Sequence, residues 1–566
     1  MATGWTSSQV FSRIFPVLYS KPHSKPLSCF ATPPAAVSLD RASCVSMSVE
    51  AGQDFPAEYA SWSPKRNPRD KRRAGILLHP TSFRGPYGIG DLGDEAFRFI
   101  DWLHLCGFSV WQVLPLVPPD NVGSPYCGQD ANCGNTMLLS LEELVKDGLL
   151  SKDELPKPVD GNRVNYPLVN ELKLPLVNKA AERLLLSDKE LKSQFETFRR
   201  DPGVVAWLED AAYFAAIDDS LKTTSWYDWP TGLKNRHLSA MEEIYQSKKD
   251  YIETFIAKQF LFHRQWQNLH AYAQEKGINI MGDMPIYVGY HSADVWAHKT
   301  KFLLDKKGFP LSVSGVPPDA FSDTGQLWGS PLFNWKEMGN DGYSWWIKRI
   351  RRAQSLFDEF RIDHFRGFAG FWSVPVEEEF AIRGSWKAGP GRSVFDSIFQ
   401  AVGNISIIAE DLGVITEDVL QLRKSINAPG MVVLQFAFGS GSDNPHLPHN
   451  HEPNQVVYTG THDNDTIIGW WHAIDEKEKR KVQKYLSIDK KENICKALIR
   501  AAVASSARTT ILTMQDIFEL DSSARMNTPA TETGNWSWRM PSKTSFDSLA
   551  TEANEIRDLL SMYGRL

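Results

Sequence analysis

The sequence predicts a closed (β/α)8 barrel with large insertions after its second and third strands. Eight short runs rich in apolar and β-branched residues recur along the chain, and helical patterns separate most of them. Strands that are apolar along their whole length are typical of a parallel sheet buried on both faces, and eight of them indicate a barrel. The predicted strands are 75–80, 110–115, 278–283, 360–365, 405–410, 431–436, 456–463 and 510–516.

Two intervals between these strands are longer than a normal crossover. The first contains amphipathic helical patterns, such as 204–221 and 251–275, so we expect an inserted helical subdomain over about residues 140–275. The second is rich in Gly, Pro and Trp, and we expect a lid or cleft wall over about residues 286–358. Residues 53–566 would form one barrel domain with both insertions.

Composition and charge exclude several classes of protein. With 566 residues, of which 42% are hydrophobic and 23% charged, the chain is neither disordered nor a coiled coil. A net charge of −6 and the lack of a basic stripe argue against nucleic acid as a partner. No run of about 18 apolar residues predicts a membrane span. The 19 Trp suit core packing and also stacking against flat, neutral ligands such as sugar rings.

The first fifty residues differ from the rest of the chain. They contain ten Ser and few acidic residues, which is typical of an organellar transit peptide, and we place it at residues 1–52. The alternative is a disordered tail without a targeting role. A secretory signal fits poorly, because Arg13 and several Pro interrupt each apolar run.

Acidic residues close five of the predicted strands, and in a barrel these strand ends converge on one mouth. They are Asp283, Asp363, Glu410, Asp463 and Asp516. Any one of them alone could be a helix cap, but together they indicate paired carboxylates of the kind that glycosyl transfer uses. Arg361 should share a strand face with Asp363 and favour its ionised form, whereas repulsion among the acids should favour the protonated form of Glu410.

No cofactor and no metal ion is predicted. The glycines Gly88, Gly90 and Gly93 match a dinucleotide-binding pattern, but no acidic residue ends the next strand to bind a ribose. We interpret them as a tight loop before a helix. The histidines near residue 449 lack a second cluster of metal ligands.

Eight motifs resemble the amylomaltase or disproportionating-enzyme family of 4-α-glucanotransferases, which is glycoside hydrolase family 77 of the α-amylase clan. They span roughly residues 75 to 540. The motifs are residues 85–93, 124–126, 282–288, 325–329, 361–367, 409–413, 460–464 and 524–527. The chain departs from the family pattern at residues 127–133 and at Ala530, where glycine is expected.

The resemblance implies a catalytic role for three carboxylates. By this match, Asp363 is the nucleophile, Glu410 the general acid/base, and Asp463 the acid that binds sugar hydroxyls and stabilises the transition state. The implied substrate-binding residues are Ser124, Tyr126, Asp283, Gln326, Trp328, Arg361, His462 and Asn464. Phe321, Trp328 and Phe333 are expected to cover the acceptor side of the cleft.

The resemblance also implies an activity. We expect retaining transfer of an α-1,4-glucan segment, from a maltooligosaccharide or starch-derived donor to the non-reducing-end 4-OH of another glucan or of glucose, in the plastid stroma. Two alternatives remain at this point: an amylase-type hydrolase with the same carboxylates, and an inactive glucan-binding protein. The three intact carboxylates count against the second alternative, since a binding protein needs no proton donor. The sequence leaves the oligomeric state open.

Overall fold

The central sheet contains eight of the twelve strands found in the described residues. The computed structural model describes residues 71–566 except 121, 188–189, 223, 319–321, 490–491, 532 and 543. The predicted leader, residues 1–52, lies outside the described residues and stays a prediction. The strands are β1 (Arg73–Leu77), β2 (Val110–Gln112), β3 (Asn279–Pro285), β4 (Ser312–Val316), β5 (Gln326–Pro331), β6 (Glu359–Asp363), β7 (Gly370–Pro375), β8 (Ser385–Ala388), β9 (Ile407–Ala409), β10 (Gly430–Val433), β11 (Gln455–Tyr458) and β12 (Thr509–Thr513).

Seventeen helices accompany these strands within the described ranges. They are α1 (Asp94–Cys106), α2 (Leu141–Lys146), α3 (Tyr166–Leu186), α4 (Glu190–Arg200), α5 (Pro202–Leu221), α6 (Thr231–Lys234), α7 (Leu238–Glu275), α8 (Ala293–Ala297), α9 (Trp335–Asn340), α10 (Ser344–Leu356), α11 (Arg392–Val402), α12 (Glu417–Ser425), α13 (Ile467–Ala473), α14 (Glu476–Leu486), α15 (Ile494–Ala504), α16 (Met514–Ile517) and α17 (Ala550–Met562). None of these helices is long and apolar enough to cross a membrane.

The eight-stranded sheet is parallel throughout and has the order β10-β11-β12-β1-β2-β3-β6-β9. The backbone N–H of Ala409, on β9, donates to the carbonyl of Pro429, just before β10, at 2.9 Å. Because this bond joins the two ends of the order, the sheet curls into a barrel. The predicted (β/α)8 fold is confirmed, with its long insertions after β2 and β3.

The strands are apolar because both of their faces are covered. Inside the barrel, inward-pointing side chains from alternate strands pack on one another below the mouth. This interior cluster consists of Leu77, Val110, Leu114, Met281, Ile408, Met431, Val433, Val456, Tyr458, Ile511, Met526 and Trp536. A second, larger cluster fills the space between the strands and the surrounding helices. The interior cluster forms the floor on which the site is built.

Helices α2 to α7 occupy the stretch where the sequence predicts a helical subdomain. The predicted helix 251–275 begins earlier, at Leu238, because α7 runs through a kink at Lys248, whose φ and ψ are −122° and 19°. The boundaries of that subdomain and of the predicted lid at residues 286–358 stay predictions.

A second sheet was not predicted from the sequence. Strands β4, β5, β7 and β8 form a four-stranded antiparallel sheet with the order β5-β4-β7-β8, which we call the small sheet. Its strands are short and contain Gly, Ser and Pro, so their residues give little alternation of apolar and polar side chains. Two of the strands lie in the predicted lid stretch, and the other two follow β6.

Candidate active site

The register of β3 against β6 places Asp283, Arg361 and Asp363 next to one another at the barrel mouth. Asp283 lies directly opposite Arg361, so both side chains point into the barrel. The Arg361 guanidinium donates from Nε to Asp283 Oδ1 at 3.1 Å and from Nη2 to Asp283 Oδ2 at 2.8 Å. The same Nη2 lies 2.9 Å from Asp363 Oδ1, two residues further along β6. One buried cation therefore bridges two carboxylates.

The ionisation of Asp363 reflects two opposing effects. Burial raises the pKa of Asp363 to about 6, although the neighbouring Arg361 guanidinium lowers it. Arg361 thus acts in the direction that the sequence predicts, but burial is the larger effect. Since a pKa of about 6 is still below 7, Asp363 is mainly a carboxylate at neutral pH. A third of its side chain stays exposed to the cleft.

Glu410 is held next to Asp363 by the backbone. Its Oε2 accepts from the N–H of His364 at 2.7 Å, and its Oε1 accepts from the N–H of Leu412 at 2.9 Å. The N–H of His364 points at Glu410 because His364 adopts a left-handed conformation, with φ 52°. Such a conformation is uncommon for residues other than glycine, although His, Asn and Asp adopt it more often than the rest. The neighbouring Asp411 points away and pairs with Arg423 on α12 at 3.1 Å, as alternation predicts.

The two neighbouring carboxyls differ in protonation. Burial, followed by the charge of Asp363, raises the pKa of Glu410 to about 8. The sequence predicts this direction from like-charge repulsion, and the structure adds burial as the larger cause. Arg361 lowers the pKa of Glu410 less than burial raises it. At pH 7, Glu410 is therefore mainly protonated while Asp363 is mainly ionised.

Asp463 is supported by a segment for which no role was predicted. Asn527 donates from Nδ2 to Asp463 Oδ1 at 2.6 Å, and Arg525 donates from Nη2 to the Asp463 carbonyl at 2.7 Å. His462 Nε2 lies 3.4 Å from the same Asp463 Oδ1. Residues 524–527 form a motif of the family resemblance, and that motif was the available signal for this support. Three residues later, Ala530 has φ 61°, which explains why glycine is expected there.

Tyr126 and His462 form one wall of the mouth. Their rings stack, with centroids 5.3 Å apart and planes inclined by 14°. The Tyr126 hydroxyl donates to Asp283 Oδ2 at 2.7 Å, so this wall is hydrogen-bonded to the carboxylate that pairs with Arg361. Ser124 Oγ accepts from the Tyr126 N–H at 3.2 Å. Asn464 Oδ1 accepts from the N–H of Thr461 at 2.8 Å, which closes the turn after β11.

The small sheet contributes the opposite wall through β5. The ring of Trp328 meets that of His364 edge to face at 4.7 Å, so it approaches the residue that follows Asp363. Gln326 Oε1 accepts from Trp328 Nε1 at 3.2 Å and helps to orient the indole. The structure does not bring Phe333 to the cleft, because its ring is buried among the aromatic residues of α9 and α10. Phe321 lies outside the described residues.

Asp516 does not join the other acids. The strand predicted at residues 510–516 ends at Thr513, and Asp516 lies in the short helix α16. Its Oδ1 accepts from the Ile467 N–H and its Oδ2 from the Thr459 hydroxyl, both at 2.8 Å. This carboxylate therefore fixes the start of α13 against β12.

Among the described residues, no group of three His, Cys, Asp or Glu side chains is arranged to hold a metal ion. The three histidines near residue 449 bond to protein groups instead. His446 Nδ1 accepts from the Val433 N–H at 3.1 Å, and His451 Nδ1 lies 2.7 Å from the Ser505 hydroxyl. Gly93 precedes α1 and donates its N–H to Asp91 Oδ1 at 3.1 Å, within the predicted tight loop.

The neighbouring carboxyls, their bridging guanidinium and the barrel mouth can be compared with known proteins. A family model for 4-alpha-glucanotransferases, glycoside hydrolase family 77, matches residues 78–545. The chain belongs to this family. The predicted family and class of activity are thereby confirmed.

Relatives of this glucanotransferase extend over nearly its whole length. A chloroplastic/amyloplastic 4-alpha-glucanotransferase from Solanum tuberosum is 69% identical over 91% of this chain and 90% of its own. A 4-alpha-glucanotransferase from Aquifex aeolicus is 41% identical over 87% of this chain and 99% of its own. Among solved structures, an amylomaltase from Streptococcus agalactiae in complex with acarbose matches with a TM-score of 0.83 and 34% identity, over 88% of this chain and 100% of that chain. The names of the plant relatives confirm the predicted plastid location.

A buried histidine of this glucanotransferase was missed by the sequence reasoning. His79 follows β1 and lines a pocket together with His462, Asn464 and Arg525. Burial, with the nearby His462, lowers the pKa of His79 to about 3, so this imidazole is neutral. The residue adjoins the family-like motif at residues 85–93, but a single histidine after a strand carried no signal of its own.

Proposed function

We propose that this enzyme moves α-1,4-glucan segments between chains by a retaining double displacement. Asp363 is the nucleophile, Glu410 the general acid and then base, and Asp463 binds sugar hydroxyls and stabilises the transition state. The observation that supports this assignment is the opposite protonation of two adjacent carboxyls, with a pKa of about 6 for Asp363 and about 8 for Glu410. An ionised nucleophile beside a protonated acid is the state that the first step requires.

In the first step, a carboxylate oxygen of Asp363 attacks the anomeric carbon while the bond from that carbon to the glycosidic oxygen breaks. Glu410 gives its proton to this oxygen, and the leaving chain departs with a free 4-OH. In the second step, the Glu410 carboxylate takes the proton of an acceptor 4-OH, whose oxygen displaces Asp363. Two displacements restore the α configuration, and we expect the two carboxyls to be about 5–5.5 Å apart, as in retaining enzymes.

The walls of the mouth support a role in holding the transferred sugar. Arg361 fixes Asp363, and Asp283 with Tyr126 fixes Arg361. The stacked rings of Tyr126 and His462 offer an aromatic surface, and His462 and Asp463 offer hydrogen bonds to sugar hydroxyls. We propose that Ser124 and Asn464 act by holding the loops that carry these groups. No cofactor takes part in this mechanism.

Transfer instead of hydrolysis requires that an acceptor sugar reaches the glycosyl-enzyme before water does. Water is present at about 55 M, so the acceptor must be bound and oriented, and the site must be kept dry. Trp328, packed on His364 at the cleft wall, is placed to support the acceptor sugar and to exclude water. The proposed partners are α-1,4-glucans as donors, and glucans or glucose as acceptors.

Maltotriose as the only substrate tests the proposed function. A transferase releases glucose and builds longer chains while the number of reducing ends stays constant, because each broken bond is replaced by a new one. Reducing ends that increase in step with glucose would instead show an amylase-type hydrolase. Binding of maltotriose without any product would show an inactive glucan-binding protein.

Two variants test the assigned roles. Asp363→Asn should abolish transfer while glucan still binds, because the amide keeps the shape of the side chain and removes the nucleophile. Glu410→Gln should recover activity preferentially on a glucosyl donor with a good leaving group, such as a fluoride, which needs no proton. Glu417→Gln, an exposed residue on α12, is the matched control and should behave as the unchanged enzyme. A covalent adduct on Glu410 or Asp463 would overturn the assignment.

A further inference from the structure

One row of side chains crosses the whole of the small sheet. Leu327 on β5 lies opposite Gly315 on β4, Gly315 lies opposite Trp372 on β7, and Trp372 lies opposite Trp386 on β8. Residues directly opposite each other in an antiparallel pair project from the same face. Leu327, Trp372 and Trp386 therefore share one face of the small sheet, with Gly315 between the leucine and the indoles, where a Cβ would clash with the Gln326 carbonyl oxygen.

The small sheet and its connecting loop expose an unusual amount of apolar surface. Apart from Trp328 at the cleft wall, five large apolar side chains on them are exposed, and we call them the apolar patch: Leu327, Val376, Phe380, Ile382 and Trp386. Phe380 is 53% exposed and Trp386 is 43% exposed. Exposed apolar side chains that are scattered singly are normal, but a group of them on one element marks an interaction site.

The Trp386 ring is held in place by its neighbours, although part of it is exposed. The Arg366 guanidinium lies 3.8 Å from the centre of the Trp386 ring, and Trp372 packs against the same ring at 5.2 Å. Trp372 also donates from Nε1 to the Ala381 carbonyl at 2.8 Å, which fastens the loop between β7 and β8. Because the rings are already held in place, a ligand would not have to order them on binding.

Arg366 connects the patch to the segments that carry the two central carboxyls. Arg366, which packs on Trp386, follows Asp363 by three residues and also donates to the carbonyl of Val414. Val414 follows Glu410 by four residues and is 54% exposed. Arg366 therefore links Trp386 to the segments that follow Asp363 and Glu410.

Charges next to the patch narrow the choice of ligand. Glu377, Glu378 and Glu379 follow Val376 in the loop between β7 and β8. Arg383 Nη1 lies 3.8 Å from Glu378 Oε1, and Lys387 is exposed on β8, so the region carries charges of both signs and lacks the basic surface that nucleic acid and anionic lipid need. A neutral polymer with apolar C–H faces and many hydroxyls suits both the aromatic rings and the carboxylate acceptors around them.

We propose that this patch binds the part of an α-glucan chain that extends beyond the catalytic cleft, with Trp386 and Phe380 as its stacking residues. The proposal rests on the proposed function, because it takes the glucan as the substrate of the cleft. A short substrate such as maltotriose fills the cleft without reaching the patch. A long chain contacts both, and gains affinity from the second contact without any change in the chemistry.

Kinetics with short and long substrates test the proposal. Trp386→Ala and Phe380→Ala should each raise KM for long-chain amylose by about five- to tenfold, since the loss of one stacked ring costs roughly that factor in affinity. The values of kcat and KM on maltotriose should stay within about twofold. Trp386→Phe should recover most of the affinity for amylose. Leu238→Ala removes an apolar side chain that is 89% exposed on α7, and serves as the matched control.

The outcomes separate this proposal from the proposed function. If the unchanged enzyme fails to disproportionate maltotriose, the proposed function is wrong. If it does so, but Trp386→Ala and Phe380→Ala leave KM for amylose unchanged, only the glucan-binding patch is overturned. Sedimentation analysis tests the alternative that a second copy of the chain covers the patch. If the variants convert a dimer into a monomer and keep the affinity for amylose, the patch is an interface between copies of the chain.

Discussion

Replacing Glu410 by Gln should make the stability of the enzyme less dependent on pH. The pKa of Glu410 rises from its ordinary value of 4.5 to about 8 on folding, mainly because of burial. Between these two values the folded protein binds a proton that the unfolded chain releases. The free energy of unfolding therefore falls as the pH rises through this window. The amide of Glu410→Gln has no proton to lose, so in the variant this contribution to the fall is absent.

The size of the effect follows from the pKa change. A rise from 4.5 to about 8 corresponds to at most about 5 kcal/mol, at about 1.4 kcal/mol for each pKa unit. Part of the Glu410 side chain faces the open cleft, where solvent screens its charge, so we expect about 1–3 kcal/mol. For the roughly 500 folded residues, an unfolding entropy near 1 kcal/mol per kelvin converts this into about 1–3 °C.

Calorimetry of the variant and of the unchanged enzyme at pH 5 to 8.5 measures this effect. The melting temperature of Glu410→Gln minus that of the unchanged enzyme should increase with pH. The substituted amide also gives up one of the two acceptors for the N–H groups of His364 and Leu412, but that loss is the same at every pH and leaves the slope unaffected. Glu476→Gln, at a side chain that is 74% exposed, should give a flat difference. A flat difference for Glu410→Gln as well would refute the reasoning.

Three further predictions concern the reaction. The rate of glucose release from maltotriose should rise as Asp363 ionises near pH 6 and fall as Glu410 loses its proton near pH 8. A pH profile that lacks the rise or the fall would contradict the pKa values assigned to the two carboxyls. Asn527→Ala removes a hydrogen bond to Asp463 and should lower kcat/KM on maltotriose about 10- to 100-fold, with an unchanged melting temperature. Trp328→Ala should increase the ratio of new reducing ends to glucose, because water gains access to the glycosyl-enzyme. An unchanged ratio would show that Trp328 does not protect the intermediate.

The barrel could be predicted because each of its strands is buried on both faces and therefore leaves a continuous apolar run in the sequence. The small sheet could not, since its strands are short and rich in Gly and Ser, and since β4 pairs with β7 across the intervening strand β6. Strand ends were predicted less well than strand positions. The run 456–463 continues past the last strand residue, Tyr458, because residues 459–463 form the turn that carries His462 and Asp463.

The candidate site was predictable to the extent that it follows from strand periodicity. Arg361 and Asp363 share a face of β6, and Asp283 meets Arg361 across the sheet, as alternation and the barrel mouth require. The left-handed backbone of His364 breaks that periodicity. Alternation directs this side chain towards the outer helices, whereas its ring contacts Trp328 at the cleft wall. No spacing rule predicts such a turn, because it is stabilised by a hydrogen bond from the His364 N–H to Glu410, a residue far away in the sequence.

The difference in pKa between Asp363 and Glu410 depends on where the positive charge of Arg361 lies. Arg361 donates hydrogen bonds from Nε and Nη2 to Asp283, and its Nη2 also pairs with Asp363, so the guanidinium already contacts two carboxylates. Glu410 accepts from two backbone N–H groups, and the negative charge of Asp363 raises its pKa more than Arg361 lowers it. Burial raises the pKa of both carboxyls and Arg361 lowers both, but of the two only Asp363 forms an ion pair with the guanidinium. The position of Arg361 on β6 thus determines which carboxyl carries the proton, and in the proposed mechanism it thereby determines which one attacks and which one donates.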